Sequence, residues 1–484
     1  MAEPPGLSDA ERRLWTAFPS GGQVVLGDEI PAGPDPDRIV RAEVISQLLL
    51  GACEPRSGFV AAVRLSGAYI IGPLELSGGT VEYELRLTHC RLVEVPDFSN
   101  AQARQLRLSD CRMPGFDGGG LRADGYLSLS GSVVEGQVRL TRAQLMGGLR
   151  MNGTRVSVTD PGEWAISAAA LLVEVGLFAR ECEIEGGARL VGARMNGGLW
   201  MEDAVLRNPG RLAMDAQNMV VEDAAEFSRA TTIGTVRLRS ARINGTLSFS
   251  RARMDAGAPD RMALHASHMV CDELTLWPAE KIQGRVALSY SRIQLIMDHP
   301  DIWPDELWLN GLVYETLRGG DFKDRLSWIS RDKEFHTQPY EQLASWYHGI
   351  GHDDLARKVQ LAKMRARRRN LNLIGRAWNG LLDWTVGYGF RPWLAFAWFG
   401  VLVAVGTLVF SLNPPKSIKP GEEQPDFHAL VYTLDLLIPI DTFGQQQAYD
   451  PQGWSRWMAY ALIATGWILA TALIAGVTRV LRPN

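Results

Sequence analysis

The chain reads as mainly β: a parallel β-helix with helical caps, followed by a two-helix transmembrane region. Three observations predict this. An eleven-residue apolar repeat runs from about residue 59 to 297, two uncharged apolar runs lie near the C-terminus, and helical apolar spacing flanks the repeat. The expected order is an N-terminal helical cap (1–58), the repeat domain (59–297) and a C-terminal cap with an αα-hairpin (298–370). An interfacial amphipathic segment (371–392), a first span (393–412), an extracytoplasmic loop (413–456), a second span (457–478) and a short tail (479–484) follow.

In the repeat, two apolar residues two apart are followed by a small residue and then another apolar one. Val63-Leu65-Ala68-Ile70 becomes Leu74-Leu76-Gly79-Val81 and then Leu85-Leu87-Cys90-Leu92, eleven residues at a time. Copies continue to Leu247-Phe249-Ala252-Met254, with looser ones at Met262-Leu264-Ser267-Met269 and Val286-Leu288-Ser291-Ile293. Residues two apart share one face of a strand, so each pair is a short strand with its apolar side inward. Such a strand cannot bury that side alone, but stacked copies make a continuous core. Each unit is then half a coil, giving roughly eleven coils and a rod on the order of 50 Å at ~4.8 Å per coil. The small–apolar alternation resembles the pentapeptide-repeat family, which implies square coils with a small residue and a Leu inward on each side. The eleven-residue spacing and the insertion TDPGEWAISAAALLVE depart from that family's pattern. Cys90, Cys111 and Cys182 occupy the small inward slot, which makes them packing residues.

The caps follow from helix signals. Ser8-Asp9-Ala10-Glu11 is a capping box, and Asp37 to Ala52 carries apolar residues at helical spacing. Downstream, Tyr340, Leu343, Ala344 and Tyr347 share one helical face, Gly349 and Gly351 break it, and Leu355, Val359 and Leu361 belong to a second helix. This pair resembles a single tetratricopeptide unit, used as a cap or docking knob.

Trp393 to Leu412 and Trp457 to Thr478 hold no charge, and each is long enough to cross a hydrocarbon core of about 30 Å. Trp393, Trp398, Trp454 and Trp457 suit the interfacial belt. Ala472 and Gly476, four apart, permit close helix packing and a homo-oligomer. Arg367, Arg368, Arg369, Arg376 and Arg391 precede the first span, and Arg479 and Arg482 follow the second, whereas the loop carries Lys416 and Lys419 against Glu422, Glu423 and Asp426. That asymmetry predicts a multi-pass protein with both termini cytoplasmic, and the five arginines before the first span as lipid head-group contacts. The N-terminal residues lack a signal-peptide pattern. Five cysteines without a CxxC pair fit a reducing compartment. A net charge of −4 gives no general field for nucleic acid.

Between the spans, His428 to Gln445 is apolar but too short to cross. It suits a re-entrant segment or an amphipathic helix lying on the bilayer; in the first case Asp435 and Asp441 are candidate pore residues. Thr385-Val386-Gly387-Tyr388-Gly389 matches the potassium-channel filter, but no membrane helix precedes it, so an interfacial position is expected. His265, His268 and Cys271 have metal-like spacing, yet the repeat turns both histidines outward. No phosphate loop, GxSxG or HExxH is present. The reading therefore assigns no catalytic residue, no cofactor and no metal ligand.

The segments RAEVISQLLLGA, VRLSGAYIIGPLEL, PYEQLASWYHGIGHDDLARKVQLAK, LVYTLDLLIPIDTFGQ and GWILATALIAGVTRVLR occur in that order. Together they resemble a family of actinobacterial membrane proteins, some labelled membrane-associated oxidoreductase. The resemblance covers nearly the whole chain and implies a bacterial plasma-membrane location; no dinucleotide fingerprint or redox cysteine pair carries its redox label over. Three functions follow: a non-enzymatic scaffold for an unknown cytoplasmic protein partner, a channel-like oligomer gated by the soluble part, and the oxidoreductase of the family label.

Overall fold

The computed structural model describes residues 6–160, 162–368, 392–418, 426–438 and 443–481, with backbone alone for 368, 392–396 and 472–481. The chain forms two compact units, Met1–Gln342 and Leu343–Asn484.

In the first unit the chain winds into a parallel β-solenoid of about twelve turns. Val63 pairs with Leu85, Leu85 with Leu106, Leu106 with Leu127 and Leu127 with Leu149. One circuit thus takes 21 or 22 residues, and each eleven-residue repeat is half of it. A circuit has four sides, as in the strands Leu127–Ser128, Val133–Val134, Val138–Arg139 and Gln144–Leu145. Each strand stacks in register on its counterpart in the next coil. We number the sides one to four in that order.

The small slot has a geometric cause. After the first and third sides the chain turns in four residues: Ser132 N donates to Leu129 O, Ala143 N to Leu140 O and Thr154 N to Met151 O. The third residue of each turn is left-handed, with φ of 71° at Gly131, 60° at Arg142 and 64° at Gly153. The fourth then points inward where two sides converge, so it must be small. Where that residue is polar, it bonds to the preceding coil. The Ser132 hydroxyl donates to Leu108 O (2.8 Å) and accepts from Cys111 N (3.0 Å), and Thr154 donates to Leu129 O (2.9 Å). Satisfied in this way, a buried hydroxyl avoids its desolvation penalty.

One expected register is corrected. Around 262–271 the inward residues are Leu264, Ala266, Met269 and Cys271, two positions later than the repeat suggested. The cause is an insertion at 256–261 just before this half-coil. From Leu149 onward, coils alternate in length: Leu149 pairs with Leu177, Leu199 with Ala225 and Leu247 with Leu274, 26 to 28 residues apart. The intervening steps, Leu177 to Leu199 and Ala225 to Leu247, take 22. All the extra residues leave the same corner, between the second and third sides. The short coils make room there with glycine. A Cβ on Gly234 (φ 117°) would stand 2.5 Å from Asn208 O and 2.9 Å from Arg211 O.

Both solenoid ends are pinned by a buried carboxylate. Helix α1 (Asp9–Ala17) starts in the expected capping box, and the buried Glu11 also accepts from Arg41 N (2.9 Å), Nε (2.8 Å) and Nη2 (2.7 Å). Strands Gln23–Val25 and Ile39–Arg41 pair in parallel with the first full coil, and α2 (Ala42–Leu49) follows. At the other end Val313–Arg318 stacks on the preceding coil and leads into α3 (Phe322–Ile329). Arg325 of α3 binds the buried Asp298 through both Nη atoms (2.9 and 2.6 Å), and Trp303 Nε1 donates to the same carboxylate (2.6 Å). Helix α4 (Gln338–Gly349) begins by donating from Gln338 and Gln342 to Leu312 O and Tyr314 O. Helix α5 (Asp353–Arg368) follows a left-handed Gly351, as its glycines suggested.

In the second unit, α6 (Pro392–Leu412), α7 (Ala429–Leu437), the short α8 (Gln445–Ala448) and α9 (Trp454–Leu481) follow in order. Lys416–Ser417 pairs antiparallel with Tyr449–Asp450. Phe410, Tyr432, Leu436, Leu437, Tyr449 and Leu462 form a buried cluster in which α7 packs against both α6 and α9. Gly466 lies so close to α7 that a Cβ there would collide with the Leu437 carbonyl. Among the described residues no helix is long and apolar enough to cross a membrane. The apolar stretches 393–412 and 457–478 each run into residues whose side chains lie outside the description.

Candidate functional site

The solenoid interior is closed to chemistry. Cys90, Cys111, Cys182 and Cys271 are buried and unpaired; only Cys53 is partly exposed. Burial pushes the Cys182 and Cys271 thiols up to about 12, so neither supplies a thiolate near neutral pH. Cys271 points inward, whereas His268 is exposed and His265 half-buried on the outside, so the HxxHxxC residues do not converge. Burial and the nearby Arg239 and Arg237 hold His265 below the usual histidine range. Among the described residues no His, Cys, Asp and Glu group could hold a metal ion.

Outward positions carry the more telling pattern. Coil stacking brings every outward residue over its counterpart, and opposite charges often meet: Arg229 with Asp203 (2.6 Å), Arg237 with Asp215 (2.5 Å), Arg180 with Glu202 (3.1 Å). Rings meet as well: the Arg180 guanidinium lies 5.7 and 5.6 Å from the Phe178 and Trp200 rings, and His268 stacks on Tyr290 at 5.2 Å.

The fourth side differs. One outward row alternates Glu174, Asn196, Glu222, Asn244, Asp272 and Gln294. Each amide donates to the carboxylate before it, at 2.7, 2.5 and 3.0 Å. The row beside it alternates apolar and basic residues, with Val220, Arg242, Val270 and Arg292 in stacked register. The period is two coils, or about 50 residues. An eleven-residue search misses it because the inward positions hardly vary. The signal present in the sequence was the alternating coil length, with Leu149, Leu177, Leu199, Ala225, Leu247 and Leu274 in stacked register.

In the helical unit, Asp435 is buried and accepts from the amides of Phe443 (3.0 Å) and Gln446 (2.8 Å). Its carboxylate thus holds the start of α8. Asp441 and the 385–389 segment lie outside the described residues, as do Arg369, Arg376, Arg391 and the side chain of Arg368; Arg367 is exposed on α5.

No family model, no curated protein and no solved structure matches the chain. The resemblance to actinobacterial membrane proteins therefore rests on the quoted segments alone.

Proposed function

We propose that this chain is a membrane-held scaffold, a rigid β-solenoid that offers its outer sides to a protein partner and performs no catalysis itself. The observation that carries the membrane part is the outer surface of α6 and α9. Leu408, Leu412, Trp457, Trp467 and Ile468 are each more than half exposed, at 62, 73, 75, 57 and 64 %. Large exposed apolar residues at this density mark a surface that another apolar phase covers, and the uncharged runs 393–412 and 457–478 favour a bilayer as that phase. The basic residues before α6 and after α9 favour both chain ends in the cytoplasm, and the resemblance of the quoted segments favours a bacterial plasma membrane. A solenoid supports the scaffold part, because stacked coils make a long surface of fixed spacing.

Fractionation tests the anchor. The chain should stay with membranes through high salt and alkaline carbonate and leave them only in detergent; release by carbonate would overturn the reading. A flavin or haem absorbance in the purified chain would overturn its non-catalytic part.

A further inference from the structure

We propose that the fourth side of the solenoid is a self-docking face on which two copies of this chain pair antiparallel. This narrows the partner in the scaffold reading to a second copy. It rests on the solenoid part of that reading and not on membrane attachment.

The chain itself leaves a row of charges on this side unmatched. Arg194, Arg242 and Arg292 are exposed, and among the described residues none makes a side-chain hydrogen bond or ion pair. Elsewhere in the stack some arginines, Arg229 and Arg237 among them, reach a carboxylate one coil away, whereas others, such as Arg189 and Arg253, stand exposed without one among the described residues. On the fourth side the carboxylates of neighbouring coils are instead taken by amides. Between the arginines stand exposed valines, Val270 at 41 % and Val313 at 43 %. The side is thus built of two kinds of coil in alternation, one apolar and acidic, the other arginine and amide.

Such a side is complementary to itself in one orientation. The two outward rows lie two residues apart, about 7 Å, and coils repeat every ~4.8 Å. A twofold axis crossing the face at right angles to the solenoid lays each row over itself, running backwards. With that axis between two coils, every apolar–acidic coil meets an arginine–amide coil. Each arginine stem then covers a valine, its guanidinium reaches the facing carboxylate, and the facing amide binds the same group. A twofold axis along the solenoid instead sets each coil against its own copy. Arginine would then face amide and carboxylate would face valine, with no ion pair made. Charge complementarity selects the antiparallel pair.

The face from Glu174 to Gln294, six coils, spans about 24 Å of solenoid axis, one side wide. That is smaller than the ~800 Å² per partner of a standard interface, so the dimer is weak, in the micromolar range, and sensitive to salt.

The test uses the full-length chain in detergent, with association followed by analytical ultracentrifugation across salt. One variant reverses the bases (Arg194→Glu, Arg242→Glu, Arg292→Glu) and another the acids (Glu174→Arg, Glu222→Arg, Asp272→Arg). Each alone should associate at least about a hundredfold more weakly than the natural sequence. Mixed in equal amounts, the two should pair again, since one face is then wholly acidic and the other wholly basic. If a reversal disturbs the β circular dichroism, the neutral set Arg194→Gln, Arg242→Gln, Arg292→Gln replaces it, with about tenfold weakening expected. A chain monomeric at 100 µM overturns the proposal. So does a dimer that no variant weakens, which belongs to another surface, and so does a folded pair of reversed variants that fails to recombine.

Discussion

Arg325 sits between α3 and the last coils with both ends of its guanidinium on Asp298 and a further bond to Arg318 O (3.1 Å). Removing one partner of a buried, fully bonded pair strands the other charge, at a cost of about 3–5 kcal/mol. Asp298→Ala should therefore lower the thermal midpoint of the solenoid strongly, as read by circular dichroism at 218 nm; a shift within error would mean the cap is not held this way. At the opposite end, burial pushes the Glu11 carboxyl up, but bonds from Arg41 and Ser8 outweigh it and leave it below its ordinary 4.5. A depressed folded value means that the unfolded chain binds the proton more readily. The stabilisation is then fully present above pH 4.5 and fades as pH falls through the lowered value. Stability curves of the natural chain and Glu11→Gln should converge on acidification, and a constant gap would refute the linkage. Thiol counting checks the closed interior: one thiol, Cys53, should react quickly in the native chain at about pH 8, and all five in denaturant.

Among elements, the turns are where sequence and structure part company. The strand pairs, the small slot and the two capping helices were legible because burial restricts those positions: Leu127 and Leu129 must be apolar, and Ser132 must be small. The left-handed turn residue was not, because its side chain points to solvent and almost anything stands there, as Arg142, Ala170 and Asp203 do. The alternating rows of the fourth side were hidden for the same reason, since outward residues do not shape the apolar repeat. Asp435 was legible as a costly carboxylate but not as an anchor of α8, because its amide donors Phe443 and Gln446 lie eight and eleven residues on. The turn geometry yields two opposite expectations. Ala170, exposed with φ 53°, carries left-handed strain that Gly would relieve, so Ala170→Gly should stabilise by up to ~1 kcal/mol despite the usual entropic cost of glycine. Gly234→Ala should destabilise by more than about 2 kcal/mol, since its Cβ meets the backbone of the preceding insertion. Urea titrations of the two variants decide both, and equal shifts would show that neither corner is built as described.

For the whole molecule, the coil and not the eleven-residue unit is what the chain can gain or lose. Deleting residues 177–224 brings Ala225 to the place of Leu177 and removes two coils, one short and one long. Every later side then still stacks on its own kind, and a cooperative melt should persist. Deleting residues 225–235 preserves the apolar pattern just as well but lays third sides on first sides, and should leave a chain without one. Residues scores of positions apart in sequence lie a fixed number of coil steps apart on one side, and that spacing can be measured as distance. Arg112, Val133, Arg155, Glu183, Val205, Thr231 and Arg253 stack in unbroken register along the second side. With Cys53 replaced by serine, spin labels at 112 and 205 are four coil steps apart and labels at 112 and 253 are six. Pulsed electron–electron resonance, diluted with unlabelled chain, should give separations of about 19 and 29 Å. Equal distances for the two pairs, or a longer separation for the pair closer in coil count, would contradict the stacked coil.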